Sequence, residues 1–173
     1  MMSEINPKRV LAIDPTSGGF GFAVVESPAT SIDWGVKTIK KRNEATTLKK
    51  LAELIRLYRP EALIIEDLKN SRRCRRIQDL VDKIQALAIA ERIKSRCISV
   101  SRIKKVFQTF GAYTKHEIAQ VVAQQLPELA ARLPRYRKPW MSEDYRMAIF
   151  DAAALALTYF YSLRLRNHKP SEA

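Results

Sequence analysis

The sequence is short of the residues that build disulfide frameworks and zinc sites. Its 173 residues include two cysteines, Cys74 and Cys97, and two histidines, His116 and His168. The cysteines lack the paired spacing of a zinc site, and a disulfide framework would need more of them. The sequence therefore predicts no structural zinc, and a reducing, cytoplasmic compartment fits it best.

Long apolar runs and acidic charge are also scarce. No signal-peptide segment opens the chain, and no apolar run reaches the roughly 18 residues that a membrane span needs. Asp and Glu number 18 against 31 Lys and Arg, which gives a net charge of +13. Such a surplus attracts polyanions, usually nucleic acid and sometimes an acidic membrane.

Apolar material is plentiful, since 46% of the residues are hydrophobic. This amount suits one core, so we expect a single domain over residues 1–173. Apolar runs predict five strands, at 9–14, 20–26, 32–39, 62–66 and 97–101. Helical periodicity predicts four helices, from Glu44 to just before Pro60, at about 75–95, at 118–129, and from 142–144 to about Arg164. The fold class is therefore α/β, with a mixed five-stranded sheet flanked by helices.

Three acidic residues stand at the ends of core elements or inside them. Asp14 ends the first strand, Glu66 ends the fourth, and Asp151 lies in the apolar last helix. Singly, each has an ordinary explanation: Asp14 before Pro15 can start a turn, Asp67 can replace Glu66 on the relevant face, and Asp151 can be a paired core acid. Together, carboxylates at buried positions predict a shared Mg²⁺ site, with Mn²⁺ as a substitute, because buried acids need cations nearby.

The basic residues form clusters that predict phosphate binding. We expect two of them to follow a nucleic-acid backbone, Lys69, Arg72, Arg73, Arg75 and Arg76 in the first and Lys104, Lys105 and Lys115 in the second. A third basic stretch, at 132–138, neighbours Tyr136 and Trp140, which could stack on an unpaired base or pack in the core. Each cluster could also be a solvated face.

Four segments follow one another in a characteristic order: Ala12-Ile13-Asp14-Pro15, Ile65-Glu66, the region from Ile103-Lys104 to Ile118, and Asp151-Ala152 with its Leu- and Ala-rich continuation. In this order they resemble the RuvC family of Holliday-junction resolvases. The resemblance spans about residues 9–163 and implies a ribonuclease H-like fold. It also implies a homodimeric, Mg²⁺-dependent endonuclease that nicks a four-way DNA junction symmetrically. Phosphodiester cleavage by paired metal ions requires hard oxygen ligands, which carboxylates supply.

The resemblance also assigns roles to individual residues. Asp14, Glu66 and Asp151 would be catalytic and would hold the metal, while Lys115 and Lys104 would act at the scissile phosphate. The helix at 75–95 would pair with its twin in the dimer. A branch-migration helicase is a partner that the resemblance allows and the sequence does not identify.

The chain departs from the family pattern at two places. Ala148 replaces a further Asp that many members carry three residues before the position of Asp151. Asp144 is seven residues from Asp151, about 10.5 Å along a helix, so we expect it to serve the helix N-terminus instead. The second departure follows Glu66, where the family often has an aromatic wedge and this chain has Asp67-Leu68-Lys69.

Three other functions remain open from the sequence. The Gly18-Gly19-Phe20-Gly21 hairpin permits an ATPase of the actin and sugar-kinase superfamily, although those enzymes need two such domains. The missing acid at Ala148 permits a non-catalytic nucleic-acid-binding module. A nuclease of the same fold could also act on an RNA–DNA hybrid or on a phage or transposon DNA intermediate.

Overall fold

Over residues 9–69 and 71–167, the computed structural model has five strands and five α-helices around one mixed sheet. The strands are β1 (Val10–Thr16), β2 (Gly19–Ser27), β3 (Thr30–Thr38), β4 (Ala62–Glu66) and β5 (Lys94–Ile98). The helices are α1 (Glu44–Tyr58), α2 (Arg75–Ala90), α3 (Val100–Gln108), α4 (Lys115–Gln125) and α5 (Met147–Asn167). The predicted α/β class with a five-stranded mixed sheet is confirmed.

The sheet has the order β3-β2-β1-β4-β5, with β1 at its centre. The first three strands pair antiparallel, whereas β4 and β5 continue parallel to β1. Alternation sorts the side chains of the central strands onto two faces. Leu11, Ile13, Leu63 and Ile65 pack under α1 and α2, while Val10, Ala12, Ala62 and Ile64 pack under α4 and α5. Both faces of β1 are thus covered, which explains its continuous apolar run.

Helix α5 lies very close to the sheet, and a glycine makes this possible. A Cβ atom at Gly21 of β2 would lie 2.2 Å from the carbonyl oxygen of Ala148. The first turn of α5 therefore rests directly on β2. By length and composition, residues Met147–Arg166 could also cross a membrane, but 61% of the apolar window is buried within the fold, as expected of a core helix.

Several predicted boundaries were wrong. Helix α2 ends at Ala90 and not near 95, because Arg92 adopts a left-handed backbone (φ 59°) that turns the chain into β5. The predicted strand at 97–101 begins earlier, at Lys94, and its last part belongs to α3, which Ser99 caps and the sequence analysis missed. Helix α4 starts at Lys115, before the predicted 118. Helix α5 starts at Met147, so Asp144 lies outside it.

Candidate active site

Asp14, Glu66 and Asp151, here called the acid triad, line one cavity of about 440 Å³. Strands β1 and β4 are parallel neighbours, so the carboxyl ends that carry Asp14 and Glu66 lie at the same edge of the sheet. Helix α5 crosses this edge and brings Asp151 to it. Residues separated by 137 positions in the chain thereby share one cavity.

Strand alternation selects Glu66 over Asp67. Glu66 follows Ile64 on the face that α5 covers, and Asp14 follows Ala12 on the same face. Asp67 falls outside the cavity, where its carboxylate accepts a hydrogen bond from the backbone N–H of Lys69 at 3.1 Å. Only the first of the two adjacent acids can therefore act with Asp14.

Arg73 joins two members of the acid triad. Its Nη2 atom lies 3.2 Å from Asp14 Oδ1 and 3.1 Å from Glu66 Oε2. Its Nη1 atom also donates to the carbonyl of Pro15 at 2.9 Å. Its basic neighbours predict that Arg73 binds the nucleic-acid backbone, whereas its guanidinium is the internal counter-charge of Asp14 and Glu66. No sequence pattern signals a contact between residues 59 positions apart.

Lys115 neutralises the third acid. It is the first residue of α4, whose start is fixed by a capping box between Thr114 and Glu117. Its Nζ atom lies 2.9 Å from Asp151 Oδ2 and 2.8 Å from Glu143 Oε1. Glu143 is thus a neighbour of the site, although the sequence predicts it at the start of the last helix. The predicted proximity of Lys115 to the acids is present in the structure.

Burial makes ionisation of the acid triad unfavourable. It raises the pKa of Asp14 to about 6, although Arg73 partly opposes the shift. Burial and, after it, the charge of Asp14 raise the pKa of Asp151 to about 7, although Lys115 partly opposes the shift. The pKa of Glu66 is raised mainly by burial too. Carboxylates held in this way gain from any additional cation in the cavity.

The oxygen ligands suit a hard divalent cation, although they are not arranged as a finished metal site. Among residues 9–69 and 71–167, no three His, Cys, Asp or Glu side chains form a group that could hold an ion as they stand. The expected close convergence of three carboxylates is thus incomplete, because Arg73 and Lys115 bind their oxygens instead. Carboxylate oxygens in a shared cavity suit Mg²⁺. An ion that enters this cavity would have to compete with Arg73 and Lys115 for these oxygens.

The remaining predicted basic residues divide into three groups. Lys104, on α3, lines the cavity with the acid triad. Lys105 faces a separate groove beside Phe110 and Tyr161. Lys69, Arg72, Arg75 and Arg76 are exposed, and Arg76 donates to the backbone carbonyl of Arg42. Near the C-terminus, the basic residues Arg164 and Arg166 lie in the last turn of α5, and Lys169 lies outside the described residues.

Asp144 lies outside the acid triad, but its distance along a helix is not the reason. It precedes α5, so its distance along a helix is irrelevant. Its carboxylate binds Arg146, with Oδ2 2.6 Å from Nη2, and this contact lowers the pKa of Asp144. Ala148, the position of the missing family acid, is buried against Gly21.

The pKa of Asp151 predicts how Asp151→Asn changes the pH dependence of stability. Between the ordinary Asp pKa of 3.8 and about 7, the folded protein binds a proton that the unfolded chain releases. Wild-type stability should therefore fall as pH rises through this window, whereas asparagine cannot ionise. We expect the melting temperature of Asp151→Asn minus that of wild type to increase from about pH 4 to about pH 8. Thermal melts in metal-free buffer would measure it.

Asp144→Asn is the matched control for this experiment. The pKa of Asp144 is lowered, so its contribution is complete above the ordinary Asp pKa and is lost only in stronger acid. Its melting-temperature difference from wild type should stay constant over the same range. If the melting-temperature difference between Asp151→Asn and wild type also stays constant, the pKa of Asp151 is not raised.

A five-stranded sheet of this order, with acids at the ends of β1 and β4 and on the final helix, defines a ribonuclease H-like fold. In sequence, the chain is similar to the crossover junction endodeoxyribonuclease RuvC of Caldanaerobacter subterraneus subsp. tengcongensis, at 29% identity over 167 residues that cover 89% of this chain and 93% of the relative. No family model matches the chain.

Solved structures show the same fold. Thermus thermophilus RuvC matches with a TM-score of 0.69 at 19% identity, covering 94% of this chain and 99% of that one. The same protein in complex with a Holliday junction substrate matches with a TM-score of 0.68 at 18% identity, covering 91% and 95%. The fowlpox virus Holliday junction resolvase gives 0.51 at 13% identity, covering 89% and 99%. The resemblance to RuvC-type resolvases is confirmed, and the chain is RuvC-like in sequence and fold.

Proposed function

We propose that the chain is a metal-dependent, structure-specific endodeoxyribonuclease that resolves four-way (Holliday) DNA junctions in recombination and repair. The observation that carries this proposal is the cavity in which the acid triad meets Lys104 and Lys115. The similarity to a protein named as a crossover junction endodeoxyribonuclease supports the DNA substrate. The net charge of +13 supports a polyanionic one.

The acid triad would hold Mg²⁺, with Mn²⁺ as a substitute. When bound, such ions supply an activated water and stabilise the charge on the attacking and leaving phosphate oxygens. The carboxylates of Asp14, Glu66 and Asp151 provide the hard oxygens for this role. Arg73 would have to give up its contacts with Asp14 and Glu66, because the same oxygens cannot serve both cations fully.

Lys115 and Lys104 would orient the scissile phosphate. The Lys115 ammonium has three donors, and its contacts with Asp151 and Glu143 hold it at the edge of the acid triad. Burial opposes its charge, but the attraction of Asp151 raises its pKa, so it remains protonated. A fixed positive charge beside the acids can balance the negative charge that develops during phosphodiester cleavage. Lys104 reaches the same cavity from α3.

The exposed basic residues after β4 would bind the DNA backbone. Lys69 and Arg72 precede α2, and Arg75 and Arg76 form its first turn. This cluster begins three residues after Glu66, so a phosphate backbone that it binds would pass close to the acid triad. Lys105 would extend the contact on the α3 side.

We also infer a homodimer, since two symmetric nicks require two active sites. The apolar face of α2 is packed within its own chain by Ile77, Leu80, Val81, Ile84 and Ala88. Exposed apolar surface on this side remains at Ile89 and at Leu57 of α1. Helix α2, which the resemblance pairs with its twin, therefore leaves little free apolar surface for that contact. A cytoplasmic location and a branch-migration helicase as a partner belong to the same proposal.

Cleavage of three labelled substrates would test the proposal. We expect wild-type protein with Mg²⁺ to nick a four-way junction at two symmetric positions, and to cut a linear duplex of the same sequence and an RNA–DNA hybrid far more slowly. Junction geometry should place opposite strands at two active sites at once, which neither linear substrate can do. Preferred cutting of the hybrid would replace the junction with an RNA-containing substrate, and no cutting of any substrate would favour a non-catalytic binding module.

A further inference from the structure

Three aromatic side chains project from the segment at residues 135–146, here called the aromatic segment. The exposed fractions are 71% for Tyr136, 78% for Trp140 and 69% for Tyr145. The sequence left open whether Trp140 belongs to the core, and its exposure excludes that. Exposed large aromatics in one short segment are unusual for a folded chain and commonly mark a binding surface.

Basic residues surround these rings. Arg135, Arg137 and Lys138 lie between or beside the aromatics and are exposed. The Nζ atom of Lys138 lies 5.3 Å from the centroid of the Trp140 ring, which is within the range of a cation–π contact. Arg137 Nη1 donates to the carbonyl of Met141 at 2.5 Å and keeps the segment folded back on itself. The surface therefore combines flat rings with positive charge.

Two contacts fasten the aromatic segment to the start of α4, beside the acid triad. The Tyr136 ring packs edge-on against His116, with centroids 5.5 Å apart. Seven residues further on, Glu143 binds Lys115, which also binds Asp151. Trp140 lies three residues from Glu143, a distance that the backbone spans in at most about 11 Å. Tyr136 and Glu143 thus anchor the aromatic segment at the start of α4, whose first residue, Lys115, lines the cavity.

We propose that the aromatic segment is a stacking platform for unpaired bases next to the strand that is cut. The proposal rests on the function proposed above and specifies the DNA it selects. Every base has a π-face that stacks on an aromatic ring, and the adjacent cations bind the phosphates of the same strand. Trp140 would be the principal ring, because it is the most exposed of the three and is paired with a cation. Paired bases keep their faces covered, so a linear duplex would not engage it.

Tryptophan fluorescence gives a direct measure of stacking. The chain has two tryptophans, and Trp34 lies half-buried on β3, so a Trp34→Phe variant leaves Trp140 as the only source of tryptophan emission. We expect oligo-dT and a four-way junction with unpaired thymines at its crossover to quench this emission in metal-free buffer. A linear duplex bound to the same extent should not quench it. Equal quenching by the duplex, or none by oligo-dT, would overturn the platform.

Binding of the same DNAs supplies an independent test. Trp140→Ala should weaken oligo-dT and junction binding about tenfold or more, while Trp140→Phe should retain most of the affinity. Ile32→Ala removes an exposed apolar side chain on the edge strand β3 and should change neither. If Trp140→Ala binds all DNAs as Ile32→Ala does, the exposed rings serve another purpose, such as protein docking. If wild-type protein does not cleave junctions but the DNA still quenches the Trp140 emission, the proposed nuclease function is rejected and the stacking platform is retained.

Discussion

Asp14→Asn, Glu66→Gln and Asp151→Asn are each expected to abolish junction cleavage, by about 10³-fold or more, while junction binding survives. Each substitution removes a carboxylate oxygen from the shared cavity, so the metal loses a ligand and a charge. Removing negative charge beside a polyanion does not weaken its attraction to the protein. Single-turnover cleavage in Mg²⁺ and junction binding in metal-free buffer would separate the two effects.

Two neighbouring acids provide the controls for these variants. Asp67→Asn changes the residue next to Glu66 but on the other face of the strand, and Asp144→Asn changes an acid that binds Arg146. Both should cleave at close to the wild-type rate. Full Mg²⁺-dependent cleavage by Asp14→Asn or Asp151→Asn would contradict the site. A loss in Asp144→Asn as large as in the acid triad would show that its contact with Arg146 is replaced when DNA or metal binds.

Arg73→Ala is expected to tighten Mg²⁺ binding by about tenfold, since a charged hydrogen bond of about 1.5 kcal/mol no longer competes for the carboxylates. Without metal, Asp14 and Glu66 lose their counter-charge and repel each other, so the melting temperature should fall. Added Mg²⁺ should then raise the melting temperature of the variant more than that of wild type. Calorimetric titration and thermal melts at several Mg²⁺ concentrations would measure both effects.

Arg72→Ala is the matched control, because it removes the same charge one residue earlier from an exposed position. Its Mg²⁺ affinity and its metal-dependent increase in melting temperature should equal those of wild type. A Mg²⁺ affinity of Arg73→Ala that is unchanged or weaker would mean that Arg73 does not compete with the ion.

The sheet and the positions of the acids could be predicted from the sequence because they depend on local patterns. Apolar runs that end in an acid identified β1 and β4, and strand alternation then fixes which acid faces α5. Asp151 stood out as a carboxylate in an otherwise apolar helix. These features need no knowledge of distant contacts.

The counter-charges of the acid triad could not be predicted in the same way. Arg73 lies in a basic run that resembles a solvated face, and only the path of the loop after β4 brings it to Asp14. Glu143 was assigned to a helix that in fact begins later, at Met147, because short polar residues at 142–144 resemble an N-terminal cap. Helix α3 was not predicted because it spans only nine residues, most of which are exposed.

A structure of the protein crystallised with Mn²⁺, in which the anomalous signal of the ion is mapped, would show directly whether the acid triad holds a metal. Mn²⁺ takes the same oxygen ligands as Mg²⁺ and can be located without ambiguity. We predict a peak in the cavity bound by carboxylate oxygens of at least two members of the acid triad, with the Arg73 guanidinium moved away from Asp14 and Glu66. A cavity without a peak at saturating Mn²⁺, with Arg73 still bridging Asp14 and Glu66, would show that the acid triad is not a metal site.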